Sequence, residues 1–417
     1  MKRNYFLVGL IFLVFFVISF LTNILGPLIP DLIKSFALSL TLAGLLPFSF
    51  FIAYGVMSIP AGALVEKYGE KKVMALAFFL AFLGSFLFAT FPYFQVAMLS
   101  LFLIGIGMAM LQVAINPLLR TAGGEEHFAF NSVMAQLIFG LASFLSPQVF
   151  TYLVKNLQEP AGDANFLLKL LAGIVPPHLP WVSLYWVFAL TSLIMVAVVL
   201  AAKLPKVLLK EEERAGVWAS YKQLVRNKFV ILYFLGIFAY VGTEQGVANW
   251  ISKFLSIYHG FDPQLTGADT VSYFWGLLTA GCLLGLLLLK LIDSRNVLIV
   301  FTGAAIICLT LALFGPAGIA LYAFPLVGFF ASVMWSVIFS LALNSVDKYH
   351  GSFSGILCTA IIGGALIPLI IGIIGDLAGL RFGMMFLYIT LGYIFSIGFW
   401  AKPIITNDTF KARKKEM

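Results

Sequence analysis

Few side chains in this chain could do chemistry inside its long apolar runs, and most of them are of one type. Asn23, Gln112, Asn116, Gln136, Gln245 and Asn249 form a set of amides. Gln112 and Asn116 lie four residues apart, as do Gln245 and Asn249, so each pair shares one helix face. An amide both donates and accepts, which matches the vicinal hydroxyls of a sugar. Trp250 and Trp335 add aromatic faces that suit the apolar C–H face of a pyranose ring. Tyr273 and Trp275 open another apolar run. Glu244 is the one acid well inside a run. A carboxyl there can bind a proton or another cation, its ionisation set by burial and by substrate. The plainer alternatives are a neutral carboxyl hydrogen-bonded between helices, amides that only join neighbouring helices, and aromatic residues of an interfacial belt.

What is missing excludes other chemistries. No His, Cys, Asp and Glu residues fall at metal-ligand spacing, so no metal site is expected. No Ser/His or paired-carboxylate arrangement lies within a run, and all four histidines fall in loops or at run ends. A membrane enzyme is therefore not expected, nor is a cofactor beyond a co-transported ion. An anion carrier would need Arg or Lys inside the runs, and there is essentially none. Cys282, Cys308 and Cys358 sit within apolar runs and suggest no disulfide framework.

The elements that must position these residues follow from composition. Of 417 residues, 61% are hydrophobic and only 11% charged, with a mean hydropathy of +1.03. A soluble domain carries about 25% charged residues. A cytosolic enzyme, a nucleic-acid-binding domain and a disordered regulator are excluded. A transmembrane helix needs about 20 apolar residues. Such runs fall at 5–30, 41–63, 72–92, 95–119, 128–154, 181–202, 229–256, 270–291, 296–314, 318–344, 352–375 and 382–401. The expected fold is an all-α polytopic membrane protein of twelve transmembrane helices in two six-helix half-bundles. Residues 1–202 form the first half and 229–402 the second. Residues 203–228 are a charged linker with amphipathic helix expected in Glu211–Leu224, and 403–417 a basic tail. The piece Phe166–Val175 is too short to span and is expected at the interface.

Met1-Lys2-Arg3 opens directly into the first run with no small-residue cleavage site, so that run is read as a retained span. With the N-terminus inside, the inner segments carry 21 of the 26 Lys and Arg and the outer segments five. Both termini are therefore expected in the cytoplasm. The net charge of +8 reflects these inner loops and implies no nucleic-acid partner. The expected partners are the lipid bilayer and a small-molecule sugar, with the chain a monomer. Two related halves would place the substrate site between them, near the midplane.

The loop after the second run reads Gly62-Ala-Leu-Val-Glu66-Lys67-Tyr68-Gly69-Glu70-Lys71-Lys72. It resembles the signature loop of the major facilitator superfamily, with Glu66 for the usual Asp. Gly62 lets helices approach closely. An acid at that turn can face a helix N-terminus of the other half, and Lys71 and Lys72 hold the loop inside. The resemblance implies a gating latch that favours the outward-facing state.

Three further stretches are similar to the fucose:proton symporter family, a sugar-carrying branch of that superfamily. They are Leu111-Gln112-Val-Ala-Ile-Asn116-Pro117, Tyr240-Val-Gly242-Thr-Glu244, and a segment from Ser332 through Gly363-Gly364 to Gly375-Asp376-x-Ala-Gly379. The resemblance implies an alternating-access bundle moving a sugar with a cation. At two positions where that family carries acids, this chain has Asn23 and Gln112, and Phe139 replaces an amide. Glu244 is left as the coupling group, for a proton or for sodium held with Asn23 and Gln245. The expectation is a carrier importing a neutral monosaccharide, a hexose, across a bacterial-type cytoplasmic membrane. Asn23, Gln112, Asn116, Gln136, Gln245 and Asn249 would bind hydroxyls, and Trp335 and Trp250 would stack on the ring. The alternative is an uncoupled facilitator, or an exporter of another metabolite or apolar compound.

Overall fold

The computed structural model describes residues 5–123, 128–158, 166–204, 218–346 and 350–403. Among the described residues the secondary structure is helical, with no strand. In a bilayer every backbone N–H and C=O must be satisfied within the chain, and helices achieve this locally. Twelve helical segments are long and apolar enough to cross a membrane: Tyr5–Phe36, Leu40–Tyr68, Glu70–Thr90, Phe94–Gly123, Asn131–Gln158, Val182–Ala201, Lys228–His259, Pro263–Leu291, Ser294–Phe314, Ala317–Leu343, Phe353–Ala378 and Leu380–Trp400. They are called spans 1 to 12 below. Phe166–Ile174 is a separate nine-residue helix with Phe166, Leu170 and Ile174 exposed. A second short helix, Trp218–Val225, precedes span 7. The part of the expected linker helix from 211 to 217 lies outside the described residues.

Span 1 reaches further than its apolar run suggests. It is two helices, Tyr5–Thr22 and Leu25–Phe36, and the second carries Asp31 into a buried position. Pro27 has no N–H to give the Asn23 carbonyl, so the ladder breaks there. Span 10 breaks between Ala331 and Met334, and span 11 passes through a short 3₁₀ turn, Ala360–Ile362, before Gly363. Such discontinuous spans are where carriers of this architecture build their sites.

The buried apolar side chains form two cores. The first draws on residues from Leu7 to Ala202, with Ala268 and Ala365 added. The second draws on residues from Leu224 to Ala401, with Ile29 and Ala43 added. Each half-bundle therefore packs mainly on itself, and few core residues cross over.

The halves meet along spans 1 and 7, 2 and 11, and 5 and 8. One end of the bundle holds residue 5 and residue 403; it is called the terminal end, and the other the distal end. The distal end is sealed. The Asp376 carboxylate accepts the N–H groups of Leu40 (2.8 Å) and Thr41 (2.7 Å) across the halves. Gln264 Nε2 donates to Asp31 Oδ1 at 2.7 Å, and Gln148 Nε2 to Asp269 Oδ1 at 3.0 Å. Thr151 Oγ1 donates to the Gln264 carbonyl at 2.8 Å, and Ser272 Oγ to that of Phe144. Backbones approach closely here, because a Cβ on Gly26 would strike Ala248 and one on Gly372 would strike Leu40. Towards the terminal end the halves part. Gly55 still lies against Thr359 and Ile362, but Gly62, two turns further along span 2, faces open space.

Candidate functional site between the half-bundles

Span 7 supplies the centre of the site. Tyr240, Glu244 and the neighbouring Gln245 stand together because positions four apart share a helix face. Tyr240 donates its hydroxyl to Glu244 Oε2 at 2.5 Å, and Gln245 donates Nε2 to Glu244 Oε1 at 3.1 Å. Each carboxylate oxygen thus carries one neutral donor, and no Lys or Arg pairs with Glu244 among the described residues. The Tyr240 ring lies 6.1 Å from that of Trp335 in span 10. Trp335 in turn stacks on Phe339, with centroids 5.9 Å apart and planes 19° from parallel. Trp335, Phe339 and Glu244 are half-buried, while Ser336 and Ser340 on the same stretch of span 10 are exposed. This wall offers a carboxylate beside an aromatic platform.

The first half contributes Gln112, Asn116 and Gln136. Gln112 is half-buried, and Asn116 and Gln136 are exposed. Asn116 Nδ2 donates to the Gln112 carbonyl at 3.0 Å, which leaves its side-chain oxygen and the whole Gln112 amide group to other partners. These residues and the Glu244–Trp335 wall belong to opposite halves.

The other expected site residues are placed differently. Asn23 is 5% exposed and donates to Ser143 Oγ at 2.8 Å and more weakly to Ser19 Oγ at 3.5 Å. Ser19 also bonds the Phe139 carbonyl at 2.6 Å, so Asn23 belongs to a polar clasp between spans 1 and 5 of its own half. Trp250 is fully buried, and its indole N–H donates to the Pro368 carbonyl at 3.2 Å. It ties span 7 to span 11 and presents no ring face. The expected stacking role does not fit this placement. Asn249 is 3% exposed with Nδ2 unpartnered, beneath the distal seal and away from the open end. Gln245 is buried too, next to Gly364 at the contact with Phe51 of span 2. Trp275 is buried and Tyr273 is exposed.

Sequence reasoning passed over two members of the wall, Tyr240 as the donor to Glu244 and Phe339 as the partner of Trp335. The signal was available, since each lies four residues from its partner. In the gating loop, Gly69 adopts φ 80°, a conformation that favours glycine. Glu66 and Lys72 are exposed, and Lys71 Nζ donates to the Ala202 carbonyl at 2.9 Å, bracing the loop on its own half. Among the described residues no group of three or more His, Cys, Asp and Glu side chains is placed to hold a metal ion.

The sequence profile of the Major Facilitator Superfamily matches residues 11–361. The chain belongs to the major facilitator superfamily. It is thus a multi-pass membrane transporter and not an enzyme. A glucose/galactose transporter of Brucella abortus is 31% identical over 408 residues, covering 94% of this chain and 93% of the relative. An L-fucose-proton symporter of Escherichia coli is 25% identical over 390 residues, covering 88% and 86%. Among solved folds, a bacterial homologue of the human lysosomal transporter Spinster, in an inward-facing and occupied conformation, superposes with a TM-score of 0.77 at 14% identity, covering 96% and 97%. The last likeness concerns the fold alone.

Proposed function

We propose that this major facilitator protein imports a neutral hexose together with a proton, by exposing one site alternately to the two sides of the membrane. The observation that carries the proposal is the wall of Glu244, Tyr240 and the Trp335–Phe339 stack in the second half, and Gln112, Asn116 and Gln136 of the first half are assigned to face it. Amides suit hydroxyls, and an aromatic face suits a sugar ring. The 31% identity to a glucose/galactose transporter over nearly the whole chain supports a hexose substrate.

A proton is favoured over sodium by the placement of Asn23. A sodium set would need that amide oxygen beside Glu244, yet the Asn23 side chain is engaged with Ser143 in its own half. The name of the fucose relative agrees with a proton. The 21-to-5 split of Lys and Arg supports a cytoplasmic terminal end. On that reading the arrangement described above is inward-facing, sealed outside and open inside.

The test is uptake of radiolabelled glucose, galactose and fucose into proteoliposomes under an inward proton gradient, an inward sodium gradient, or neither. Accumulation of one hexose that needs the proton gradient is expected. Accumulation with sodium at equal pH would overturn proton coupling. Failure of every hexose to exchange would overturn the substrate class.

A further inference from the structure

The gating loop has a counterpart at the opposite end of the molecule. Gly62, Glu66, Gly69 and Lys71 set a spacing of glycine, acid four on, glycine seven on and base nine on. Gly372, Asp376, Gly379 and Arg381 repeat it. The backbone repeats it as well. Gly69 has φ 80° and ψ 157°, and Gly379 has φ 94° and ψ 149°. Both glycines close a span into a tight turn that an L side chain would strain. One turn joins spans 2 and 3, the other spans 11 and 12.

Spans 2 and 11 pack against each other and run in opposite directions. Each turn therefore lies beside the N-terminal end of the partner span. At the distal end the contact is made. The Asp376 carboxylate takes the first two N–H groups of span 2, and Ser39 takes the third, that of Leu42. An anion at a helix N-terminus satisfies orphan donors and the positive end of the helix dipole together. Gly372 lies directly on the Leu40 backbone. The turn itself is fixed to the second half. The Arg381 guanidinium lies 4.4 Å from the centroid of the Tyr258 ring, and the Arg381 N–H donates to the Tyr258 hydroxyl at 2.9 Å. At the terminal end the equivalent glycine, Gly62, meets nothing within 4 Å.

We propose that Asp376, carried on the Gly372–Arg381 turn, is a second latch that closes the outer face, the inverse counterpart of Glu66. It is a positioning residue of the transport cycle, one that sets which side the substrate site faces. The inference rests on the alternating-exposure reading above. The sealed distal end and the parted terminal end show this pair with the Asp376 latch engaged and the Gly62 turn separated from span 11.

The test uses the full-length carrier in proteoliposomes, with one introduced cysteine at a time. Ile29→Cys reports the outer side, because Ile29 is fully buried among second-half residues under the seal. Ser340→Cys reports the inner side, where Ser340 is exposed. Labelling by a membrane-impermeant maleimide is timed from each side. Asparagine at 376 keeps one acceptor oxygen but loses the second one and the negative charge facing the helix dipole, a loss worth about a fivefold change in an equilibrium constant. Asp376→Asn is expected to speed outer labelling at 29 and slow inner labelling at 340 by about that factor. Glu66→Gln is expected to shift both rates the opposite way. Unchanged rates in Asp376→Asn, with Glu66→Gln or added sugar still shifting them, would overturn the latch alone. Rates that no variant and no sugar can shift would overturn alternating exposure, and the latch with it. If Asp376→Asn does not elute as folded protein, Gly372→Ala takes its place. Its added methyl would hold span 11 off Leu40, and it should give the same direction of change, with unchanged rates overturning the latch.

Discussion

On the proposed proton coupling, replacing Glu244 by Gln should separate coupling from binding. Glutamine keeps the shape of the side chain and one carbonyl oxygen. It can still accept from Tyr240 or from Gln245, but not from both as Glu244 does. One hydrogen bond lost among half-buried groups costs about 1 kcal/mol. For a unit the size of one half-bundle that lowers the midpoint of thermal unfolding by about 2–4 °C, so the variant should fold. Its effect on transport is larger. Glutamine cannot exchange a proton, so the gradient loses its hold on the cycle. A gradient of one pH unit is worth about 1.4 kcal/mol per proton, or a tenfold accumulation of sugar. An inward gradient of about two units should thus drive about a hundredfold accumulation in the native carrier and none in Glu244→Gln. Sugar counterflow, which needs no gradient, should persist. The assay is uptake and counterflow on the same liposomes. Gradient-driven accumulation by Glu244→Gln would refute the coupling role. Loss of counterflow in a folded variant would show instead that the carboxylate is required for binding.

Four other outcomes follow from the same geometry. Gln112→Ala should weaken sugar binding by about fivefold, one hydrogen bond to the ligand being worth about 1 kcal/mol, without changing the elution of the folded protein; equilibrium dialysis reads it. Trp335→Ala removes the platform beside Glu244 and should abolish sugar-dependent quenching of tryptophan fluorescence while the protein stays folded. Trp250→Phe removes the bond to the Pro368 carbonyl; it should lower thermal stability by about 1 kcal/mol and leave sugar affinity unchanged. Asn23→Ala breaks the clasp to Ser143; the loss expected for a polar contact between spans is about 0.6 kcal/mol, read as a small drop in melting temperature with proton dependence intact.

The fold was legible because lipid allows so few solutions. A chain with this density of apolar runs must form spanning helices. The boundaries failed where polar residues continue a helix within protein. Span 1 runs on through Asp31 to Phe36, because Gln264 from the other half bonds that carboxylate. No local pattern could announce a partner more than two hundred residues away. Of the candidate site, Glu244 stood out because a lone carboxyl in an apolar run is costly. The i, i+4 rule also linked Gln112 with Asn116, and would have linked Tyr240 with Glu244 and Trp335 with Phe339.

The roles of the remaining amides and aromatics were not legible in the same way. Asn23 and Gln112 are alike as residues in apolar runs, yet one is clasped by Ser143 while the other is half-buried in span 4. Trp250 and Trp335 differ likewise, one fully buried against Pro368 and one forming a wall. A sequence defines which residues share a helix face, because the helical repeat is local. It does not define the rotation of that helix against its neighbours, which depends on how glycines such as Gly26 and Gly372 let distant backbones meet. The sequence alone therefore determined the twelve spans and singled out Glu244 as the coupling candidate, while the charge split set an expectation for their sidedness. The tertiary packing decided which polar groups are buried in contacts of their own half and which end of the bundle is sealed, because both depend on contacts between distant spans that share no local code.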